Sequence, residues 1–255
     1  MIDTRMNFCR YDSLGRPFGT DGVLKAMQKY GIETAILVPK MAVDADFRLG
    51  NRELFEAIKT SDQLYGYLVI NPNYPKETVQ IMRSAMSSRK FLALALFDGA
   101  SLPYPNVHDY RDILNAHRRF SKPVFVNVAN GEAIAAAEQM AKEFPSIKFI
   151  IGQMGGKDWK RMMACGQTLN MIVETSGSFD AEKIEEAIEN FGLHRVVFGS
   201  NFPYSDPDCM LALIENSDIP KTVMEKILSE NAKTIFKLGG QGQQALIPEA
   251  EEEEQ

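Results

Sequence analysis

Eight short apolar runs recur along the chain, each followed by a polar loop and most by an amphipathic stretch. They begin with MIDTRM near 1–6, TAILVP at 34–39, LYGYLVINP at 64–72 and FLALALFD at 91–98. PVFVNV at 123–128, IKFIIGQM at 147–154, MIVETS at 171–176 and RVVFGS at 195–200 complete the set. Unbroken apolar runs, in place of strict alternation, predict strands buried on both faces, as a parallel sheet requires. Between them lie helical patterns such as GVLKAMQKYG, ELFEAIKTS, KETVQIMRSAM, EAIAAAEQMAKEF and AEKIEEAIENFG. Gly31 and Gly192 close the first and last of these, where helix C-termini favour glycine. Eight such units in roughly 240 residues fit a single closed (β/α)8 TIM barrel better than an open doubly wound sheet. No GxGxxG follows the first strand, which removes the usual dinucleotide reading.

Charge narrows the partners. Lys and Arg number 28 against 34 Asp and Glu, a net charge of −6. Five of the acids fall in the closing EAEEEEQ, so the rest of the chain is nearly neutral. A neutral body without a basic cluster offers no footprint for nucleic acid. No apolar run approaches the ~20 residues that span a bilayer, and MIDTRMNFCRYD is charged where a signal peptide is apolar. Cys9, Cys165 and Cys209 form no CxxC pair, which predicts free thiols in a reducing, cytoplasmic setting. Residues 1–238 are expected to form the barrel and 239–255 a flexible acidic tail.

In a parallel barrel the functional face lies where the strands end. The polar residues at those ends are Arg5 and Asn7, Lys40, Asn71 and Asn73, Asp98, Asn127, Gln153, Glu174 and Ser176, and Asn201. Many are amides.

The chain resembles the amidohydrolase-related family (amidohydrolase family 2) of metal-dependent TIM-barrel hydrolases and decarboxylases, from Ile2 to about Leu238. I-D-T-R-M-N stands where that family has Ile-Asp-x-His-x-His. YGIETAILV, GNRELFEAIK and LYGYLVINPNYPKE resemble its second and third units. PVFVNV is similar to its Pro-Val-x-Ile-His strand, and FPSIKFIIGQMGG to the phrase ending His-Met-Gly-Gly. Asn170 to Gly177, RVVFGSNFPYSDP and ILSENAKTIFKL resemble its seventh unit, its eighth unit and its closing helix. The resemblance implies a divalent metal, often zinc, held by histidines after strands one, five and six and an aspartate after strand eight. At those five positions this chain has Arg5, Asn7, Asn127, Gln153 and Asn201. An amide oxygen is a poor zinc ligand and a guanidinium repels a cation, so no metal and no other cofactor is expected. Without metal, bound water stays weakly acidic, and Asn201 cannot take its proton.

Amides around one arginine are a suitable cradle for a small anionic ligand, and Arg5, Asn7, Asn127, Gln153 and Asn201 are its candidate residues. Four readings stay open: an inert polar cluster, a retained pocket without hydrolysis, catalysis without metal, and metal-dependent activity through unexpected ligands. The third needs an acid and a base, for which Asp98, Glu174 and His108 are the candidates. Glu174 could equally pair with Arg5 or Lys40 in a structural network. His108 is placed in the loop after strand four, His117 within a helix, and His194 at the opposite face. A homo-oligomer is left open.

Overall fold

The computed structural model describes residues 1–99, 102–178 and 180–239. Eight strands form one sheet in sequence order: β1 (Ile2–Phe8), β2 (Thr34–Pro39), β3 (Leu64–Val69), β4 (Phe91–Leu96), β5 (Val124–Val126), β6 (Phe149–Ile151), β7 (Met171–Glu174) and β8 (Val196–Val197). Every neighbouring pair is parallel. The last seam closes through Thr4 N donating to Phe198 O (3.0 Å), Asn7 N to Phe202 O (2.8 Å) and Asn201 N to Arg5 O (2.8 Å). The fold is a (β/α)8 barrel.

Around it run α1 (Gly19–Tyr30), α2 (Lys40–Asp44), α3 (Phe47–Ile58), α4 (Pro75–Ser87), α5 (Val107–His117), α6 (Gly131–Glu143), α7 (Trp159–Met163), α8 (Ala181–Phe191), α9 (Pro207–Glu215), α10 (Lys221–Glu225) and α11 (Asn231–Phe236). Strand residues alternate between two cores. Ile36, Val38, Tyr67, Val69, Phe125, Ile150 and Ile172 form one, with Phe236 of α11 packed among them. Leu37, Leu68, Leu94, Val126, Ile151 and Val173 form the other, with Val23, Leu54, Met82 and Ile113 of the helices. Gly31 ends α1 in the left-handed region (φ 66°), while Gly192 has φ 79° with extended ψ.

A repeated device stitches the face where the strands begin. Residues just before a strand send their side chains to carbonyls around the start of the preceding one. Lys90 Nζ donates to Ser61 O (2.7 Å) and Leu64 O (3.3 Å). Lys122 Nζ donates to Met86 O (2.8 Å), Ser88 O (2.8 Å) and Phe91 O (2.6 Å). Asn170 Nδ2 reaches Ala141 O, Phe144 O and Ile147 O, and Arg195 reaches Gly166 O, Thr168 O, Met171 O and Phe191 O. Among the accepting carbonyls, those of Met86, Ala141 and Phe191 belong to the last turns of α4, α6 and α8, and most of the others lie in loops or at strand starts.

Two details depart from expectation. His108 does not sit in a loop; it lies exposed in the first turn of α5, whose N-cap Asn106 accepts from Asp109 N (3.0 Å). The eighth strand shrinks to two residues, because the chain after Val197 leaves the ladder to hydrogen-bond β1. The acidic tail expected at 239–255 lies, from residue 240 on, outside the described residues. Among the described residues no helix is long and apolar enough to cross a membrane.

Candidate functional site

Asp3, Arg5 and Asn7 alternate along β1 and are all buried, at 0%, 4% and 3% exposure. Arg5 is the centre of what they build. Its Nη1 donates to Ser176 Oγ (2.8 Å) and lies 3.5 Å from Glu174 Oε2. Its Nη2 donates to Asn127 Oδ1 (2.9 Å), and its guanidinium carbon stands 5.2 Å from the Phe125 ring centroid. Gln153 Nε2 donates to the same Asn127 Oδ1 (3.1 Å). Nε of Arg5 is buried and has no hydrogen-bond partner.

Glu174 ends β7 and is fully buried. It accepts from Ser176 N (2.6 Å), Ser176 Oγ (2.7 Å) and Gln153 N (3.4 Å). Glycines make the room: a Cβ on Gly199 would overlap Glu174 Oε1, and one on Gly152 would lie 2.6 Å from Phe125 and 3.1 Å from Arg5 Nη1. Burial pushes the Glu174 carboxyl up, against the downward pull of Arg5 and Ser176. Burial likewise lowers Arg5, which Glu174 holds up. Each partner stabilises the charge that its surroundings penalise.

Asp3 adds a second buried carboxyl. Its Oδ1 accepts from Arg5 N (2.9 Å) and Ser200 N (3.0 Å), while Oδ2 has no partner. Burial pushes its pKa from 3.8 to about 6, and the charge of Glu174 adds to the rise.

The remaining amides form a neighbouring group across the closing seam. Asn7 Nδ2 donates to Asn201 O (3.1 Å), Asn201 Oδ1 (3.0 Å) and Phe202 O (3.1 Å). Asn201 takes a left-handed backbone (φ 61°), as do Gln153 (φ 60°) and Met154 (φ 49°) after β6. Asparagine tolerates that region; glutamine and methionine occupy it at a cost of order 1–3 kcal/mol, a strain that clusters at functional sites.

The structure therefore brings Arg5, Asn127 and Gln153 into one network, joined by Glu174 and Ser176, with Asn7 and Asn201 paired beside it. Arg5, Asn7 and Glu174 are buried, while Asn127, Gln153 and Asn201 are half-exposed above them. Three candidates stay apart. Asp98 is exposed beyond β4, and neither it nor His108 is hydrogen-bonded or ion-paired to this network among the described residues. Lys40 pairs with Asp44 (2.9 Å), so Glu174 takes Arg5 as its partner. Asp3 is the functional-looking residue that the sequence reading passed over, although it stands at i, i+2 and i+4 with Arg5 and Asn7. Among the described residues no three His, Cys, Asp or Glu side chains are grouped to hold a metal ion.

Fold and site together define a parallel (β/α)8 barrel protein with a buried arginine–carboxylate network at the ends of its strands. The amidohydrolase family profile matches residues 13–238. This chain belongs to that family. It is 22% identical to gamma-resorcylate decarboxylase of Rhodococcus jostii, over 84% of this chain and 86% of that protein. It superposes on 2,6-dihydroxybenzoate decarboxylase, solved in complex with 2,6-dihydroxybenzoate, with a TM-score of 0.71, 20% identity, and 86% and 88% of the two chains covered. Dihydroxybenzoic acid decarboxylase of Polaromonas sp., solved with manganese and the inhibitor 2-nitroresorcinol, superposes with a TM-score of 0.67 at 18% identity, covering 86% of each chain.

Proposed function

We propose that this chain binds a small carboxylate at Arg5 and does so without the divalent metal that its family resemblance implies. One observation carries the reading: a guanidinium fixed by Ser176, Asn127 and Glu174 among the residues at the expected metal positions. The donor set does not fit a divalent cation. Arg5 is a permanent positive charge, Asn7 turns its NH2 group toward carbonyls, and Asn127 Oδ1 is already shared by two donors. The same set suits an anion, because a carboxylate matches the guanidinium fork. Asn201 cannot act as a base at neutral pH, so hydrolysis by the family route has no proton acceptor there.

A second reading, turnover without metal, is supported by Asp3 and Glu174, two buried carboxyl groups whose pKa values are both raised. Such groups supply an acid and a base when their environments differ. The relatives' decarboxylases make small carboxylated molecules the class to test in either case. Free Cys9, Cys165 and Cys209 support a reducing, cytoplasmic setting. The division into a barrel to residue 238 and an acidic tail beyond it rests on composition.

The test combines elemental analysis with a thermal-shift panel of small carboxylic acids. Wild type is expected to carry no stoichiometric zinc, manganese or iron after dialysis and to gain Tm with at least one acid. Arg5→Lys, which keeps the charge but loses the fork, should lose that gain. A metal that resists dialysis, or equal shifts in both proteins, refutes the first reading. Turnover without metal that Glu174→Gln or Asp3→Asn abolishes, in protein that circular dichroism shows to be folded, establishes the second.

A further inference from the structure

A guanidinium offers a carboxylate two edges suited to a pair of parallel hydrogen bonds, and one of them is formed by Nε and Nη2. In Arg5 that edge is half used. Nη2 donates to Asn127 Oδ1 at 2.9 Å, while Nε is buried with no partner. The other nitrogen, Nη1, is committed to Ser176 Oγ at 2.8 Å with Glu174 behind it. Asn127 Oδ1 has two lone pairs, and Arg5 Nη2 and Gln153 Nε2 (3.1 Å) already occupy them, so it has no acceptor site left for Nε. A residue only 4% exposed with one unsatisfied N–H is an unusual arrangement, since buried donors are nearly always paired.

Asn127 is also the accessible partner. It is half-exposed after β5, whereas Glu174 and Ser176 are fully buried. Its Oδ1 is held from the other side by Gln153 Nε2 (3.1 Å), a half-exposed residue in a left-handed backbone. Both holds are single hydrogen bonds, and a charged carboxylate is a stronger acceptor for a guanidinium than a neutral amide.

Resting on the carboxylate-binding reading, we infer that Asn127 is a built-in competitor for Arg5: a ligand carboxylate displaces its Oδ1 and takes Nε and Nη2 together. Asn127 then acts as a specificity-determining residue. It sets a threshold that a bidentate carboxylate crosses and a monodentate anion such as chloride does not, because only the former gains the bond to Nε. Its removal strengthens binding, the opposite of what a residue that donates to the ligand would show.

The experiment is titration calorimetry with benzoate on the full chain, comparing wild type, Asn127→Ala, Asn127→Asp and Arg5→Lys, with circular dichroism to confirm folding. Loss of one competing hydrogen bond to a charged group should tighten benzoate about tenfold in Asn127→Ala. Asn127→Asp places a carboxylate of the chain's own on Arg5 and should weaken benzoate at least about tenfold. Asn127→Ser, with a shorter reach, should follow Asn127→Ala if the alanine variant fails to fold. Binding that Arg5→Lys abolishes but that Asn127→Ala weakens or leaves unchanged overturns this inference and leaves the carboxylate reading standing. Absence of binding in all of the proteins overturns both.

Discussion

Replacing Asp3 with Asn, and separately His117 with Gln, should bend the pH dependence of stability in opposite directions. Asp3 has a folded pKa of about 6 against an ordinary 3.8. Between those values the folded chain holds a proton that the unfolded chain has released, so stability falls as pH rises through the window. His117 is the reverse case. Burial lowers its pKa from 6.5 to about 4, with Nε2 hydrogen-bonded to Lys122 O at 2.8 Å and Nδ1 unpartnered. There the unfolded chain takes the proton first, and stability rises with pH between about 4 and 6.5. At 1.36 kcal/mol per pKa unit, each group contributes about 3 kcal/mol across its window. The two largely cancel between pH 4 and 6, and Glu174, also raised, tilts the wild-type curve downward as pH rises. The assay is urea unfolding at half-unit pH steps from 4 to 7. Relative to wild type, Asp3→Asn should tilt the curve upward with rising pH by about 3 kcal/mol across its window, and His117→Gln should tilt it downward by a similar amount. A variant curve parallel to wild type would refute the assignment of that residue, and parallel curves for both would refute the linkage argument.

Two further outcomes follow from the same networks. Glu174→Gln leaves the Arg5 guanidinium buried without its counter-charge and should cost about 3–5 kcal/mol in urea unfolding; a loss under about 1 kcal/mol would show that the pair is not coupled. Lys122→Met strips three carbonyls of their donor and should cost about 2–3 kcal/mol, while Lys237→Met, on an exposed side chain, should be nearly neutral.

The barrel was legible because parallel strands bury both faces. TAILVP matches β2 residue for residue, and each of the other apolar runs contains its strand wholly or in large part. Strand ends were less legible: MIVETS and RVVFGS leave the ladder after Glu174 and Val197, where polar side chains and the closing seam take over. The start of α5 could have been read from Asn106 followed three residues later by Asp109, a capping pattern that places His108 in the helix. Arg5, Asn127 and Gln153 were legible as neighbours because the strand ends of a barrel share one face. Asp3 was not, since one acid within an apolar strand reads as part of a motif until its burial is known. Asp98 and Glu174 looked alike in sequence. Only packing separates them, Glu174 inward against Arg5 and Asp98 outward into solvent.

The stitches made by Lys90, Lys122, Asn170 and Arg195 also bear on how freely this protein can change. Each ties a unit to the one before it by side chain on backbone, so the join depends on the chain's path and hardly on which residues occupy the strands. The frame is thus secured at the end far from Arg5. Substitutions at the opposite end can leave the frame intact as long as each buried charge there keeps a partner. Variation and constraint are divided between the two ends of one barrel, which makes the mouth a tractable place to install a different chemistry.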